Sequence, residues 1–175
     1  MVTGAQASGK STVADLLARR FERGVHLRGG QFYRWAVRGW VHVGDEDQRE
    51  ARRHLDLRYR LSSQAAVEYA AAGFTTVVQD NIYGPDVERW LERVSPAAAH
   101  LVVLRPRVDV VEQRDVERQR TLGKVAYQGG FTPAVNDAHV AGTRRELGLW
   151  LDTSDQRPNE TVDEILRRAD EARVG

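Results

Sequence analysis

The chain has no cysteine in its 175 residues. Disulfides, thiolate metal sites and cysteine nucleophiles are therefore excluded. Lysine is nearly absent as well: among 26 Lys and Arg the only lysines are Lys10 and Lys124. Codon bias in a GC-rich genome is the bland cause of that imbalance. Proline is sparse, with 5 residues, and no Pro/Ser-rich linker, repeat or low-complexity tract divides the chain. No apolar run approaches the ~18 residues of a membrane span, and the start carries no basic-then-apolar leader. A cytoplasmic protein with no membrane partner is expected. Formal net charge is only +1, so bulk charge does not point to a nucleic-acid partner. The 5 histidines form no pair at metal-ligand spacing, so no zinc is expected, and no G-x-S-x-G elbow marks a hydrolase.

What the chain does have is GAQASGKST, residues Gly4, Ala5, Gln6, Ala7, Ser8, Gly9, Lys10, Ser11 and Thr12. This is the phosphate-cradling pattern G-x-x-x-x-G-K-S. Gly4 and Gly9 allow backbone angles that turn consecutive N–H groups inward. With the N-terminus of the following helix, those amides suit an anionic polyphosphate. Lys10 is expected to reach the β- and γ-phosphates and the Ser11 hydroxyl to ligate Mg²⁺. Val13, Leu16, Leu17 and Phe21 follow at helical spacing, with Gly24 as a stop. Only Met1-Val2-Thr3 precedes Gly4, shorter than the ~5–6 residues usual in a strand.

Length and a hydrophobic share of 41% fit one globular domain spanning residues 1–175. Further strands are expected at 25–28, 74–79, 100–104 and 149–151. Helices are expected at 31–38, 46–72, 86–94, 108–120, 134–147 and 160–173. Strands alternating with helices argue for an α/β fold with a five-stranded parallel sheet covered on both faces. In the long helix the first half is heavily charged and reads as a solvated face. Leu57, Leu61, Ala65, Tyr69 and Ala72 mark its expected buried stripe.

Ligands of such a sheet gather beyond the carboxyl ends of the strands. Arg28-Gly29-Gly30, Gln79-Asp80-Asn81, Arg105 and Asp152-Thr153-Ser154 should therefore converge there with the loop around Lys10. Asp80 ends an apolar strand, the position of a carboxylate that holds Mg²⁺; its bland reading is a turn aspartate. Arg114, Arg118 and Arg120, with Lys124, precede or enter a glycine-containing lid at about 118–132. Guanidinium groups there would stabilise charge spread over a transferred phosphoryl group. The bland reading is a basic helix paired with Glu112, Asp115 and Glu117. Arg28, Tyr33, Trp40 and Tyr83 suit a polar acceptor with a flat or apolar part. Phe32 and Trp35 read equally well as core.

Taken in order, GAQASGKST, the HLRGG-QF segment, VVQDNIYGP, the arginine-rich stretch to TLGK and LDTS…NETVDEIL resemble the small P-loop kinases. The nearest are the chloramphenicol phosphotransferase-like and zeta-toxin-like enzymes. The resemblance spans nearly the whole chain. It implies a three-layer P-loop fold and transfer from ATP·Mg²⁺ to the hydroxyl of a small molecule, an antibiotic or a nucleoside-like metabolite among them. Lys10 and Ser11 match the nucleotide-binding pair, Arg118 and Arg120 fall where lid arginines lie, and Thr153 and Ser154 match the segment touching adenine. One position departs. The family carries an aspartate after the second strand to accept the acceptor's proton, and here it is Gly30. Another carboxylate must then serve, with Asp80, Asp45 or Glu46 as candidates, or activity is impaired. A nucleotide or sugar-nucleotide kinase and a catalytically weak nucleotide-binding regulator stay open as alternatives. The lack of N-K-x-D favours ATP, with GTP not excluded.

Overall fold

The computed structural model describes residues 1–123, 125–127 and 130–174. In chain order the elements are β1 (Val2–Gly4), α1 (Lys10–Ala18), β2 (Gly24–Arg28), α2 (Gly30–Arg34), α3 (Gln48–Ala71), β3 (Thr75–Gln79), α4 (Pro85–Val94), β4 (Ala99–His100) and β5 (Val102–Leu104). They continue with α5 (Val108–Leu122), α6 (Pro133–Ala141), β6 (Leu149–Leu151), α7 (Pro158–Arg167), α8 (Ala169–Ala172) and β7 (Arg173–Val174). Five strands form a parallel sheet in the order β2-β3-β1-β5-β6. The expected five-stranded α/β architecture is present. A small antiparallel pair, β4 with β7, stands apart from it.

Side chains alternate between two apolar layers, one on each face of the sheet. Val77, Val102, Leu104, Leu149 and Leu151 pack against α1 and α7 through Val13, Leu17, Val162 and Ile165. Val78, Val103 and Trp150 pack the other way, against α3, α4 and α6 through Tyr59, Trp90, Val94 and Val140. Strands buried on both faces have to be apolar throughout, which is why 77–78 and 101–104 read clearly in the sequence.

Several boundaries differ from expectation. The strand expected from residue 100 begins at Val102, because His100 turns aside to pair with Arg173. The helix expected over 134–147 ends at Ala141, where Thr143 accepts a hydrogen bond from the Gly84 amide at 2.8 Å and holds the chain off the helical path. Proline at the first position starts α7 two residues early, and Arg168 (φ −109, ψ 27) breaks the closing helix. The buried face of α3 is Ala51, Tyr59, Ser62, Ser63 and Ala66, not the expected leucine stripe. The two serines are sheltered because their hydroxyls bond carbonyls three residues back. Ser62 Oγ also accepts from the Trp90 indole at 3.0 Å. Among the described residues no helix is long and apolar enough to cross a membrane.

Candidate nucleotide and acceptor site

The loop between β1 and α1 takes its shape from three residues with positive φ: Gly4 (141°), Ala7 (59°) and Gly9 (91°). At Gly4 the Leu104 carbonyl of the neighbouring strand occupies the space a Cβ would need. The loop's carbonyls are held from outside. Tyr83 Oη donates to Gly4 O at 3.1 Å, Tyr127 Oη to Gln6 O at 2.7 Å, and Arg114 Nη1 to Ser8 O at 3.5 Å. Lys10 Nζ donates to Ala5 O. The Gln6 amide is taken by Asn136 Oδ1 and the Ser8 amide by the Ala5 carbonyl, so the amides at Gly9 and in the first turn of α1 are the groups left to face an anion.

Lys10 is 5% exposed. Burial, then the nearby Arg118 and Arg58 guanidinium groups, lower its pKa to about 7. Three basic groups thus meet beside the loop, with Arg58 paired to Asp80, and the remaining positive balance suits a polyanion. The Ser11 hydroxyl is exposed and donates to Gln79 Oε1 at 3.1 Å, which aims it from the first turn of α1 toward the end of β3. Among the described residues there is no cluster of three His, Asp or Glu that could hold a metal. A Mg²⁺ here would be held by Ser11 together with phosphate oxygens and water, the arrangement this ion accepts readily. Residues and cofactor fit.

The arginines separate by helix face. Arg114 Nη2 donates to Thr153 O at 2.8 Å and to Ser154 O at 3.5 Å, so one guanidinium ties the Lys10 loop to the segment expected beside adenine. Arg118, one turn on, acts on Lys10. Arg120 does not join them. It lies exposed on the outer face of α5, in an open groove of about 400 Å³ with Asp109, Glu112, Gln113, Val116 and Glu117. An i, i+4 pair shares a helix face and i+6 does not. Lys124 lies outside the described residues, as do 128 and 129 of the expected lid. Arg105 is spent on a bidentate pair with Asp137 at 2.8 and 2.9 Å, which fastens α6 to the end of β5.

Asp80 is 1% exposed and both its oxygens are engaged. Arg58 grips it with two guanidinium nitrogens, and the Asn81 amide donates to Oδ1 at 2.7 Å. The carboxylate expected at the metal is therefore paired with a cation of α3. It also lies directly against Gly29, where any Cβ would strike it. Gly30 is different. A Cβ there would meet only Tyr33 Cε1, at 3.5 Å. Packing thus demands glycine at 29 and leaves room for a side chain at 30.

Around this pair lie the expected acceptor residues. The Arg58 guanidinium sits 5.6 Å from the Tyr33 ring centroid, and Tyr33 meets His42 edge-on at 5.1 Å. Trp40 lies 6.1 Å from Tyr33 and stacks on His54 at 4.8 Å. Arg28 is exposed at the end of β2. Tyr83 is not among them: its hydroxyl is committed to the Gly4 carbonyl, and burial pushes its pKa up. Trp35 is 66% exposed, so it is not core. The sequence reading missed Arg58, Tyr127 and Asn136. Arg58 was discoverable, since it continues the Ala51, Leu55, Ser62 face at i+7 from Ala51. Tyr127 and Asn136 carry no local signal, because their partner lies more than 120 residues away.

No protein-family model and no curated protein sequence matches the chain. Solved structures do. A sugar kinase from a Janibacter species superposes with a TM-score of 0.64 at 20% identity, covering 98% of this chain and 93% of that one. The Mycobacterium tuberculosis APS kinase, in complex with AMPPNP and APS, gives 0.68 at 18% identity over 97% and 95%. A tunicamycin resistance protein from Deinococcus radiodurans gives 0.65 at 15% identity over 99% and 96%. The chain shares the fold of these proteins across its whole length.

Proposed function

We propose that this chain is an ATP- and Mg²⁺-dependent phosphotransferase that moves the γ-phosphoryl group to a hydroxyl of a small molecule. The observation that carries the reading is the loop around Lys10: its carbonyls held by side chains, the amides at Gly9 and the start of α1 left open, and a buried amine beside Arg58 and Arg118. Phosphoryl transfer needs positioning and charge stabilisation more than covalent chemistry. Lys10 and the loop amides hold the donor's phosphates. Arg118 stabilises the charge that spreads over the moving group, and Arg114 fixes the Thr153–Ser154 segment against the loop. Mg²⁺, when bound, neutralises charge on the β- and γ-oxygens. The acceptor lies against Tyr33 and Trp40, with its hydroxyl toward Gly30 and Asp80. Of the three candidate carboxylates, Asp80 is the one packed against Gly29, and it would have to leave its pair with Arg58 to accept a proton.

The names of the structural neighbours, a sugar kinase, an APS kinase and a tunicamycin resistance protein, support a small-molecule acceptor without choosing one. The aromatic pair Tyr33 and Trp40 favours an acceptor with a flat part, such as an antibiotic or a nucleoside-like metabolite. A second reading, a catalytically weak nucleotide-binding regulator, is favoured by Gly30 alone.

ATP consumption measured over a panel of hydroxylated acceptors separates the two. Turnover with at least one acceptor is expected, and Gly30→Asp is expected to raise it, since a positioned base contributes about 10²–10⁴ in rate. Tight ATP binding with no turnover, in Gly30→Asp as in the natural chain, would favour the regulator.

A further inference from the structure

We infer that Asn136 and Tyr127 are positioning residues for the donor's phosphates, acting through the two consecutive peptide units that flank Gln6 in the Lys10 loop. The inference rests on the nucleotide-binding reading of that loop. Gln6 is held at both ends. Its N–H donates to Asn136 Oδ1 at 2.8 Å, and its carbonyl accepts from Tyr127 Oη at 2.7 Å. Tyr127 Oη also lies 3.2 Å from Asn136 Oδ1, so the two side chains and the Gln6 backbone from N–H to C=O close a ring. Asn136 is fully buried on α6, and among the described residues its Nδ2 makes no hydrogen bond of ordinary geometry. A buried amide is kept at that cost only where its oxygen is needed.

The next residue explains the need. Ala7 has φ 59°, in the left-handed region that a residue with a Cβ rarely enters. Such a conformation persists where its surroundings over-determine it. Fixing the peptide units on either side of Gln6 fixes the approach to the turn at Ala7, and with it the direction in which the following amides point. Neither side chain needs to touch the ligand. α6 is in place to do this because Thr132 caps its start, accepting from the Val135 amide at 3.2 Å. The Arg105–Asp137 pair then anchors the next residue along.

The test is equilibrium titration of the full chain with ATP·Mg²⁺, inorganic tripolyphosphate and adenosine. Asn136→Ala is expected to weaken ATP and tripolyphosphate about tenfold, as the Gln6 N–H loses the Asn136 oxygen. Tyr127→Phe, which removes one hydroxyl and leaves the ring, is expected to weaken both about threefold. The double variant should lose less than the product of the two, because both act on the backbone of one residue, Gln6. Adenosine affinity should not move. ATP affinity within twofold of the natural chain in folded Asn136→Ala would overturn the inference, and so would an equal loss for adenosine. If Asn136→Ala does not fold, Tyr127→Phe decides alone, an unchanged affinity overturning the proposal. Should the natural chain itself fail to bind ATP, the nucleotide reading falls and this inference with it.

Discussion

Lys10 is an amine kept out of water, and among the described residues its hydrogen bond goes to the Ala5 carbonyl. Its pKa is lowered from 10.5 to about 7, chiefly by burial and then by Arg118 and Arg58. The sign follows directly. Between pH 7 and 10.5 the unfolded chain holds this proton and the folded chain does not, so Lys10 makes stability rise with pH across that window. Below about pH 7 both states are protonated and the full cost of the buried charge remains. A bound polyphosphate supplies the missing anion and restores the proton. ATP binding near pH 8.5 should therefore take up a proton, seen as a dependence of the calorimetric heat on the buffer's ionisation enthalpy. Lys10→Met should abolish that dependence. Equal heats in all buffers for the natural chain would show that Lys10 is already charged. At this scale the sequence was legible where a residue type answers to its own backbone, as in GAQASGKST. It was silent where the demand comes from elsewhere: Gly29 is fixed by a carboxylate 51 positions later, whereas Gly30 is free of such contact.

Among the elements, α3 has the largest consequence beyond its length. Arg58 joins it to the end of β3 through Asp80, and Arg52 joins it to α4 through Asp86 at 2.6 and 2.8 Å. The first pair is buried, so removing one partner strands a charge. Arg58→Ala should cost about 3–5 kcal/mol in chemical denaturation. Replacing both partners with apolar or neutral groups of similar size should recover much of that loss. A loss under about 1 kcal/mol for Arg58→Ala would mean that water reaches Asp80 and the pair is effectively a surface one. The strands were readable because both faces are apolar. The face of α3 was not, because Ser62 and Ser63 bury hydroxyls that bond their own helix, and polar letters inside a stripe hide its period. The ends of α6 and β5 were set by distant tethers, Gly84 to Thr143 and His100 to Arg173, which no local pattern records.

Across the whole molecule, one rim of the sheet gathers everything the chemistry needs. The tips of β1, β3 and β6 bring the Lys10 loop, Gln79–Asp80 and Thr153–Ser154 together, and α3, α5 and α6 supply Arg58, Arg114, Arg118 and Asn136 around them. The convergence of strand ends was legible from their order alone. The side chains that hold the loop in shape were not, since α6 and the Tyr127 segment reach it from the far end of the chain. On the proposed reading this assembly binds a polyphosphate, and that is open to one direct measurement. Titration of ATP·Mg²⁺ into the natural chain and into Lys10→Ala should show saturable binding that the substitution weakens by at least about 10², the loss of a charge-assisted contact in a desolvated site. Equal affinity in the two proteins, or no binding in either, would contradict it.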